Sequence, residues 1–373
     1  MSDDVLLRVR RLRKYFPGPR GLFSGEKKVA RAVDGVSFDV RKGEVLGLVG
    51  ESGCGKTTVG RTLLRLIEPT SGTIEFMGRD ITHLQGKALR DLRREMQIVF
   101  QDPFSSLNPR MTVGAAVEEG LLIHAGRRNV GECRIGGGSH CLNDDGIAED
   151  WTDAETRRRI VTDLFARLRL PPDIGDRYPH EFSGGQRQRI CMARAVALRP
   201  KFLVLDEPLS ALDVSLQAEI INLLMKLKAD FDLTYLFISH DLSVVEYLSD
   251  RVAVMYLGQI VEMADSRQLY AEPLHPYTQA LLSAVPQMDP TAKRERIVLK
   301  GDVPSPDKPP SGCRFHPRCP KAQELCKHEA PRTLDLGGHI VKCHLVEQER
   351  GKDGRILTED ESDDFPAQAG TGK

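Results

Sequence analysis

The segment GESGCGKTT, Gly50–Thr58, restricts the fold of this chain more than any other feature. It matches the pattern G-x-x-x-x-G-K-[S/T] and lies between an apolar run, GEVLGLVG, and an amphipathic stretch from Thr57 to Ile67. In a strand–loop–helix context the glycines let backbone N–H groups turn toward phosphate oxygens, and the helix N-terminus adds a positive dipole. Lys56 supplies a charge for the β- and γ-phosphates, and Thr57 can bind Mg²⁺. The segment therefore predicts an α/β fold with a nucleoside triphosphate site.

Length and composition describe a globular chain without a charge bias. It has 373 residues, 40% of them hydrophobic, with 53 Lys and Arg against 53 Asp and Glu. A zero net charge argues against a dedicated nucleic-acid binder, which usually carries a basic excess. The N-terminus, MSDDVLLRVRRLRKYF, lacks the apolar core of a signal peptide. No run approaches the roughly 18–20 apolar residues of a membrane helix. We therefore expect a cytosolic protein or one peripheral to a membrane.

An acidic pair follows a second apolar run, FLVLDEP, in which Asp206 ends the predicted strand and Glu207 comes next. An aspartate at this place can hold the magnesium shell, and an adjacent glutamate can polarise an attacking water. An acidic pair after a strand is often only a strand terminus. Here it follows a phosphate-binding loop in an α/β chain, so the sequence predicts that both belong to one nucleotide site.

The segment EFSGGQRQRICMARAVAL, Glu181–Leu198, predicts a helix with a special N-terminus. Ser183 is placed to cap the helix, and Gly184 and Gly185 let a phosphate approach. An S-G-G-Q motif shortly before a strand that ends in Asp-Glu resembles the ATP-binding-cassette (ABC) ATPase family. The motif begins with Phe182 where many members carry leucine, which is a mild departure because serine and the glycines make the phosphate contacts.

The remaining motifs of that family occur in the expected order. VFQDP supplies the Q-loop glutamine, Gln101, and SALD at residues 210–213 supplies the D-loop. ISHD supplies the switch histidine, His240. The family also stacks an aromatic ring on adenine near the N-terminus, and Phe16 in RKYFP fits this role best, with Tyr15 as the alternative.

The resemblance, over about residues 5–285, implies a P-loop NTPase of the α/β class: an ABC cassette with a RecA-like core, an antiparallel β subdomain and a helical subdomain. It implies that two cassettes pack head to tail and hold ATP between the glycine-rich loop of one and the S-G-G-Q helix of the other. Glu207 is then the general base, His240 contacts the γ-phosphate, and Gln101 reports the nucleotide state. The implied Mg²⁺ ligands are Thr57, Gln101 and Asp206. The implied nucleotide contacts are Phe16, Gly50, Glu51, Ser52, Gly53, Cys54, Gly55, Lys56, Thr57, Thr58, Gln101, Ser183, Gly184, Gly185, Gln186 and Asp206.

Composition along the chain predicts its further organisation. The cassette covers 1–270, with its helical subdomain at about 102–180 and a glycine-rich, aperiodic insertion at about 126–153. A small Cys-rich C-terminal domain is predicted over 271–347, where prolines and cysteines accumulate. The last part of the chain, 348–373, contains EDESDD and is predicted to be a disordered tail.

The segment EPLHPYTQALLSAVP, Glu272–Pro286, resembles the C-terminal extension of dipeptide and oligopeptide importer ATPases. GDVPSPDKPPSGCRFHPRCP continues that resemblance to about Leu345. Two cassette segments, FQDPFSSLNPRMTVG and YPHEFSGGQRQRI, look more narrowly like the second ATPase subunit of these importers. The resemblance therefore implies an ATPase that powers uptake of di- and oligopeptides. By themselves His275 and Pro276 only suit the start of a helix.

The resemblance also implies partners and a location. The partners are a sister ABC ATPase subunit in a heterodimer, with a homodimer as the alternative, two transmembrane permease subunits and an extracytoplasmic solute-binding protein, without nucleic acid. The location is the cytoplasmic face of a bacterial inner membrane, as a peripheral subunit. Two alternatives stay open: the same motor for nickel, opine, glycoside or glutathione, and a soluble ABC ATPase that acts on ribosomes or DNA.

Four of the eight cysteines lie near the C-terminus, with five, six and sixteen residues between successive members: Cys313, Cys319, Cys326 and Cys343. Structural zinc sites usually contain a pair with two to four intervening residues, and no gap here is that short, although loosely spaced cysteines can still converge on a cubane. Importer ATPases of this subfamily with this pattern have been associated with an iron–sulfur cluster, so the resemblance implies a [4Fe–4S] cluster at these four positions. Zn²⁺ is the alternative, as are unmetallated thiols or disulfides. His316 and His344 are expected to be surface residues, with a role as substitute ligands as the alternative. Cys133 and Cys141 are expected to be loop thiols, with a partial metal site that includes His140 as the alternative.

Overall fold

The computed structural model describes residues 4–18, 29–125, 150–210, 212–285 and 296–357. The chain divides into two compact units. We call Met1–His83 together with Phe237–Lys373 the split unit, and Leu84–Leu236 the internal unit. Most of the predicted insertion, including Cys133 and Cys141, lies outside the described residues, as does the end of the predicted tail.

The first sheet of the split unit is antiparallel. Its strands are β1 (Val5–Pro17), β2 (Val29–Arg41), β4 (Ser71–Phe76) and β5 (Arg79–Asp80), in the order β2-β1-β4-β5. Val9 at the centre of β1 lies opposite Phe38 of β2 and Ile74 of β4, and all three side chains are buried. These cross-strand apolar pairs hold the sheet together on its inner face.

The remaining strands of the split unit begin with β3 (Val45–Val49), whose five residues are all buried. It pairs in parallel with β9 (Arg251–Tyr256), and β9 pairs antiparallel with β10 (Gln259–Asp265). The chain end continues this sheet through β12 (Ile340–Val341), β11 (Thr333–Asp335) and β13 (Arg355–Leu357). Its helices are α1 (Lys56–Leu63), α8 (Leu242–Leu248), α9 (Ser266–Ala271), α10 (Pro276–Ser283), α11 (Leu325–His328) and α12 (His344–Arg350).

The internal unit combines a parallel strand pair with helices. The strands are β6 (Met96–Val99) and β7 (Phe202–Asp206), and β8 (Thr234–Ser239) carries the chain onward into the split unit. The helices are α2 (Gly86–Glu95), α3 (Pro103–Ser106), α4 (Val113–Ala125), α5 (Ala154–Arg167), α6 (Gly184–Val196) and α7 (Val214–Phe231). Helix α4 packs against α5 and α6 through buried side chains that include Leu121 and Phe165. None of the helices within the described ranges is long and apolar enough to cross a membrane.

The C-terminal region differs in one respect from the sequence prediction. The predicted disordered tail begins at residue 348, but α12 runs to Arg350 and β13 pairs with β11 through residue 357. Helix α12 and strand β12 contribute Val346 and Val341 to a small apolar core that also contains Leu274. Burial of these side chains holds the described end of the chain in place, so the tail prediction is wrong for residues 348–357.

Candidate functional site

The glycine-rich loop wraps around the ammonium group of Lys56. Strand β3 ends at Val49, and α1 begins at Lys56 directly after Gly55. The Lys56 Nζ donates to the carbonyl oxygens of Gly50 at 2.7 Å and Glu51 at 3.1 Å, and the residue is 4% exposed. The loop therefore holds a positive charge at its centre, where phosphate oxygens can replace the two carbonyls as partners.

Two glycines of the loop have no room for a side chain. Gly50 has φ 151° and Gly55 has φ 111°, which are conformations that other residues rarely adopt. A Cβ atom would lie 2.1 Å from the Met255 carbonyl oxygen at Gly50 and 2.1 Å from the Ala32 carbonyl oxygen at Gly55. The glycine spacing of the motif is thus set by close approach of the backbone of β2 and β9.

The remaining loop residues occupy two environments. Ser52 and Gly53 are exposed, whereas Cys54 is 2% exposed and burial raises the pKa of its thiol. Cys54 therefore acts as a small buried side chain, and only its backbone can face a phosphate. Thr57 and Thr58 lie in the first turn of α1 and are half-buried.

Gln101 and Glu207 come together in the internal unit. Strands β6 and β7 are parallel neighbours, and each is followed within two residues by one of these side chains. The Gln101 Nε2 donates to the Glu207 Oε2 at 2.9 Å. Asp206, the last residue of β7, is 1% exposed. The carboxyl edge of the strand pair therefore carries two carboxylates and one amide, which is oxygen-rich chemistry suited to Mg²⁺ and an activated water.

The backbone of Glu207 is strained. Its φ is 48°, a left-handed conformation that costs a non-glycine residue about 1–2 kcal/mol. The Ser210 Oγ donates to the Glu207 carbonyl oxygen at 3.1 Å and stabilises this turn. Strain of this kind concentrates at functional sites.

The S-G-G-Q segment forms a capped helix start. The Ser183 Oγ accepts from the Gln186 N–H at 3.3 Å, and the Gln186 Oε1 accepts from the Ser183 N–H at 3.0 Å, which is a reciprocal capping box. A Cβ atom on Gly184 would meet nothing within 4 Å, whereas one on Gly185 would lie 3.3 Å from the Leu216 side chain. Gly184 thus leaves the helix N-terminus open, and Gly185 allows packing against α7. Phe182 is 4% exposed, so its ring replaces leucine as a core side chain.

The last two predicted contacts lie on the surface of the split unit. His240 is exposed directly after β8. Phe16 is 39% exposed near the end of β1, with the Lys14 Nζ 5.0 Å from its ring centroid. Tyr15, the alternative stacking residue, donates its O–H to Asp34. The exposed ring of Phe16 therefore favours it over Tyr15 as the predicted adenine contact.

The four C-terminal cysteines are neighbours. The Cys313 N–H donates to the Cys326 carbonyl oxygen at 2.9 Å, and all four are free thiols. Burial, together with the nearby thiols of Cys326, Cys343 and Cys319, raises the pKa of Cys313 to about 11. Within the described ranges, no group of three or more His, Cys, Asp or Glu side chains is arranged to hold a metal ion.

The two histidines beside these cysteines make local backbone contacts. His344 is 7% exposed, and its Nε2 donates to the Glu329 carbonyl oxygen at 2.9 Å. The prediction that His344 is a surface residue is therefore wrong. His316 is half-buried, with its Nδ1 3.0 Å from the Cys313 carbonyl oxygen.

Two residues of the C-terminal region contact the glycine-rich loop, and no motif in the sequence identifies them. Arg318 forms a two-bond ion pair with Glu51, and the Tyr277 hydroxyl accepts from the Glu51 N–H at 2.9 Å. The only signal for Arg318 was its place beside Cys319. Tyr277 lies in the HPYTQALL segment, which was interpreted as an ordinary helix.

Comparison with known proteins agrees with the site. The profile of the ABC transporter family matches residues 33–210, and that of the oligopeptide/dipeptide transporter C-terminal region matches residues 261–326. The oligopeptide transport ATP-binding protein AppF of Bacillus subtilis (strain 168) is 50% identical over 348 residues, which cover 92% of this chain and 98% of AppF. A putative peptide import ATP-binding protein of Brucella ovis is 49% identical over 344 residues, with 92% and 98% coverage.

Solved structures give the same fold. A dimeric ATP-binding cassette in a post-hydrolysis state with ADP and Pi superposes with a TM-score of 0.57 and 24% identity, covering 70% of this chain and 99% of that one. CbiO1 of Clostridium perfringens, part of the ABC transporter complex CbiONQ, gives a TM-score of 0.55 and 26% identity, with 72% and 92% coverage. The predicted ABC cassette fold is confirmed. The chain is an ATPase that belongs to the ABC transporter ATP-binding subunits carrying the oligopeptide/dipeptide transporter C-terminal region.

Proposed function

We propose that this chain is the ATP-hydrolysing subunit of an importer that takes up di- and oligopeptides. The observation that carries the solute class is the match of residues 261–326 to the oligopeptide/dipeptide transporter C-terminal region. Relatives named as peptide transport ATP-binding proteins support it, because they align along nearly their whole length.

The roles of the ATP-site residues follow from their chemistry. Lys56 neutralises the β- and γ-phosphates, and the backbone N–H groups of the loop hold them. Thr57, Gln101 and Asp206 offer the oxygen atoms that Mg²⁺ prefers, and the ion would neutralise charge on the phosphates. Phe16 stacks on the adenine ring.

Hydrolysis needs a water held in line with the γ-phosphate. Glu207 takes a proton from this water as its oxygen bonds to phosphorus, and the bond to the leaving ADP breaks. The amide of Gln101, 2.9 Å from the Glu207 carboxylate, fixes the orientation of this base. His240 contacts the γ-phosphate and stabilises the charge that it carries in the transition state.

The site is completed by a second cassette. The open N-terminus of α6, with Ser183, Gly184, Gly185 and Gln186, would contact the nucleotide held by the partner, since its dipole and N–H groups favour anions. We propose a sister ATPase as this partner, two permeases as the membrane part and an extracytoplasmic solute-binding protein. The chain would then lie peripherally on the cytoplasmic face of the membrane, without nucleic acid.

We further propose that residues 271–347 form a Cys-rich extension in which Cys313, Cys319, Cys326 and Cys343 hold a [4Fe–4S] cluster. Their thiols are mutual neighbours, and thiolate is the donor that such clusters use. Zn²⁺ is the alternative, although structural zinc sites usually contain a ligand pair with two to four intervening residues and these four cysteines have no such pair. Iron and sulfide analysis of anaerobically purified protein tests this proposal. One equivalent of zinc without iron would overturn it, and Cys319→Ser should lower the iron content.

The peptide proposal is tested by uptake in a strain that lacks the chain. Labelled di- and pentapeptides should enter only when wild-type protein is supplied, and Lys56→Ala should not restore uptake because phosphate binding is lost. Nickel, opine, glycosides and glutathione serve as parallel solutes. Unchanged peptide uptake with loss of one of these would refute the peptide assignment. Recovery of the chain on ribosomes or DNA, with uptake of every solute unchanged, would refute the importer itself.

A further inference from the structure

The C-terminal region contacts the phosphate-binding loop at one carboxylate, that of Glu51. The two terminal nitrogens of Arg318 donate to the two carboxylate oxygens of Glu51 at 2.6 Å and 3.0 Å. The Arg318 side chain is 8% exposed and that of Glu51 is 28% exposed. Tyr277 accepts from the backbone N–H of the same residue. Paired, partly buried arginine–carboxylate contacts are geometrically specific, unlike ordinary surface ion pairs.

A second arginine of this region contacts the turn between β9 and β10, which is hydrogen-bonded to the phosphate-binding loop. The Arg314 Nη1 donates to the Leu257 carbonyl oxygen at 2.6 Å, in the turn between β9 and β10. The next residue in that turn, Gly258, donates its N–H to the Cys54 carbonyl oxygen at 2.9 Å. Its carbonyl oxygen accepts from the Asp34 N–H at 2.8 Å. Arg314 is therefore two hydrogen bonds away from the glycine-rich loop.

The same arginine also holds the side predicted to bind adenine. The Arg314 Nη2 donates to the Asp34 carboxylate, which also accepts from the Tyr15 hydroxyl. Burial alone would raise the pKa of Asp34, but the hydrogen bonds from Tyr15 and Arg314 outweigh it and lower that pKa. Asp34 is thus a stable anion that fixes Tyr15, the neighbour of Phe16.

A buried aromatic cluster makes the two arginines rigid. Phe315, between them in the chain, is 1% exposed, and its ring centroid lies 5.2 Å from Tyr256, 5.3 Å from Tyr277 and 5.6 Å from His275. The Tyr256 contact is edge-on and the other two are tilted, and such aromatic contacts add to the stabilisation that burial gives. The arginines therefore project from a fixed base and do not move as free surface side chains.

We propose that the segment Cys313–Cys319 is a clamp on the nucleotide site, in which Arg318 positions the phosphate-binding loop through Glu51 and Arg314 positions the adenine side through Asp34. The proposal rests on the ATP site described above and extends it to residues that never touch the nucleotide.

Nucleotide affinity of the full-length chain tests the clamp. Loss of Arg318 leaves the Glu51 carboxylate unpaired beside the triphosphate, so Arg318→Met should raise the Kd of a fluorescent ATP analogue about tenfold, or about 1.4 kcal/mol. Glu51→Gln added to Arg318→Met should recover most of this loss, because it removes the repelling charge. Arg318→Lys should recover part of it.

Two further measurements separate positioning from folding. Arg332→Met removes an ion pair with Glu347 in the same C-terminal region and should leave the Kd unchanged. In competition assays Arg318→Met should weaken both ATP and inorganic tripolyphosphate. Arg314→Met should weaken ATP more than tripolyphosphate, because Arg314 bonds directly to Asp34 and reaches the loop only through the β9–β10 turn. Melting curves establish whether each variant is folded. If Arg318→Met is not folded, Arg318→Lys takes its place in the comparison.

The outcomes are distinguishable. A Kd of folded Arg318→Met within twofold of wild type, or a loss that Glu51→Gln does not relieve, overturns the clamp at the phosphate side. Equal weakening of tripolyphosphate by Arg314→Met overturns its adenine side. A wild-type chain that binds no ATP would instead refute the ATP site, and failed peptide uptake with these affinities intact would refute only the solute assignment.

Discussion

Replacement of Glu207 by glutamine removes the proposed base with little change to its surroundings. Glutamine has the same shape, and its amide can still bond to the Gln101 amide that now lies 2.9 Å from the carboxylate. The left-handed backbone at φ 48° costs about the same for either residue, since neither is β-branched. A positioned general base contributes about 10²–10⁴-fold to a rate. Because each tenfold equals about 1.36 kcal/mol, the expected loss of transition-state stabilisation is about 3–5 kcal/mol.

The assay compares ATP turnover and ATP binding in purified assembled transporter. Glu207→Gln should turn over at least about 100-fold more slowly and bind ATP as tightly as wild type. Glu219→Gln is the matched control, because Glu219 pairs with Arg189 on the exposed side of the same unit. Turnover of Glu207→Gln within about tenfold of wild type would refute the assignment. A loss of ATP binding as large as the loss of turnover would also refute it, because Glu207 would then contribute to folding or to ATP binding and not to the chemical step.

Three other changes probe the loop, the helix cap and a buried histidine. Gly55→Ala forces a Cβ atom to 2.1 Å from the Ala32 carbonyl oxygen, so ATP binding should be lost. Gly120→Ala in α4 places its Cβ atom 3.6 Å from the Leu198 side chain, an ordinary contact, and should retain binding; equal losses by titration would contradict this. Ser183→Ala should lower the unfolding free energy in urea by about 1 kcal/mol, and no change would contradict the cap. Burial lowers the pKa of His275 from 6.5 to about 4, so the unfolded chain takes up this proton first as pH falls. The free energy of unfolding should therefore fall by up to about 3 kcal/mol between pH 6.5 and pH 4. In denaturation curves His275→Ser should make the unfolding free energy less dependent on pH over this range, and an unchanged dependence would contradict the prediction.

The parts that sequence predicts well depend on contacts between near neighbours. The Ser183 capping box spans three residues, and the His275 Nδ1 accepts from the Tyr277 N–H at 3.0 Å to cap α10. The meeting of Gln101 and Glu207 could also be predicted, because the carboxyl ends of neighbouring parallel strands share an edge. Short-range geometry of this kind leaves a readable pattern of residue types.

The contacts that cannot be predicted from the sequence join residues far apart in the chain. Glu51 and Arg318 are 267 positions apart, and Asp34 and Arg314 are 280 apart. An arginine has no periodicity that identifies its partner across such separations. Strands β11 and β12 have three and two residues, too few for an alternating pattern. His344 looked like a surface residue because its acceptor, the Glu329 carbonyl, is supplied by a loop.

The pairing of β12 with β10 has a consequence for shortened forms of the protein. Only Glu262 and Met263 of β10 pair with β12, yet this covers the open side of a largely buried apolar strand. A chain ending before Thr333 would expose that edge, and unpaired apolar edge strands recruit strands from other molecules. It would also remove His339, whose Nε2 bonds to the fully buried Glu262 carboxylate at 2.7 Å. We therefore expect such a shortened chain to self-associate, independently of any effect on ATP.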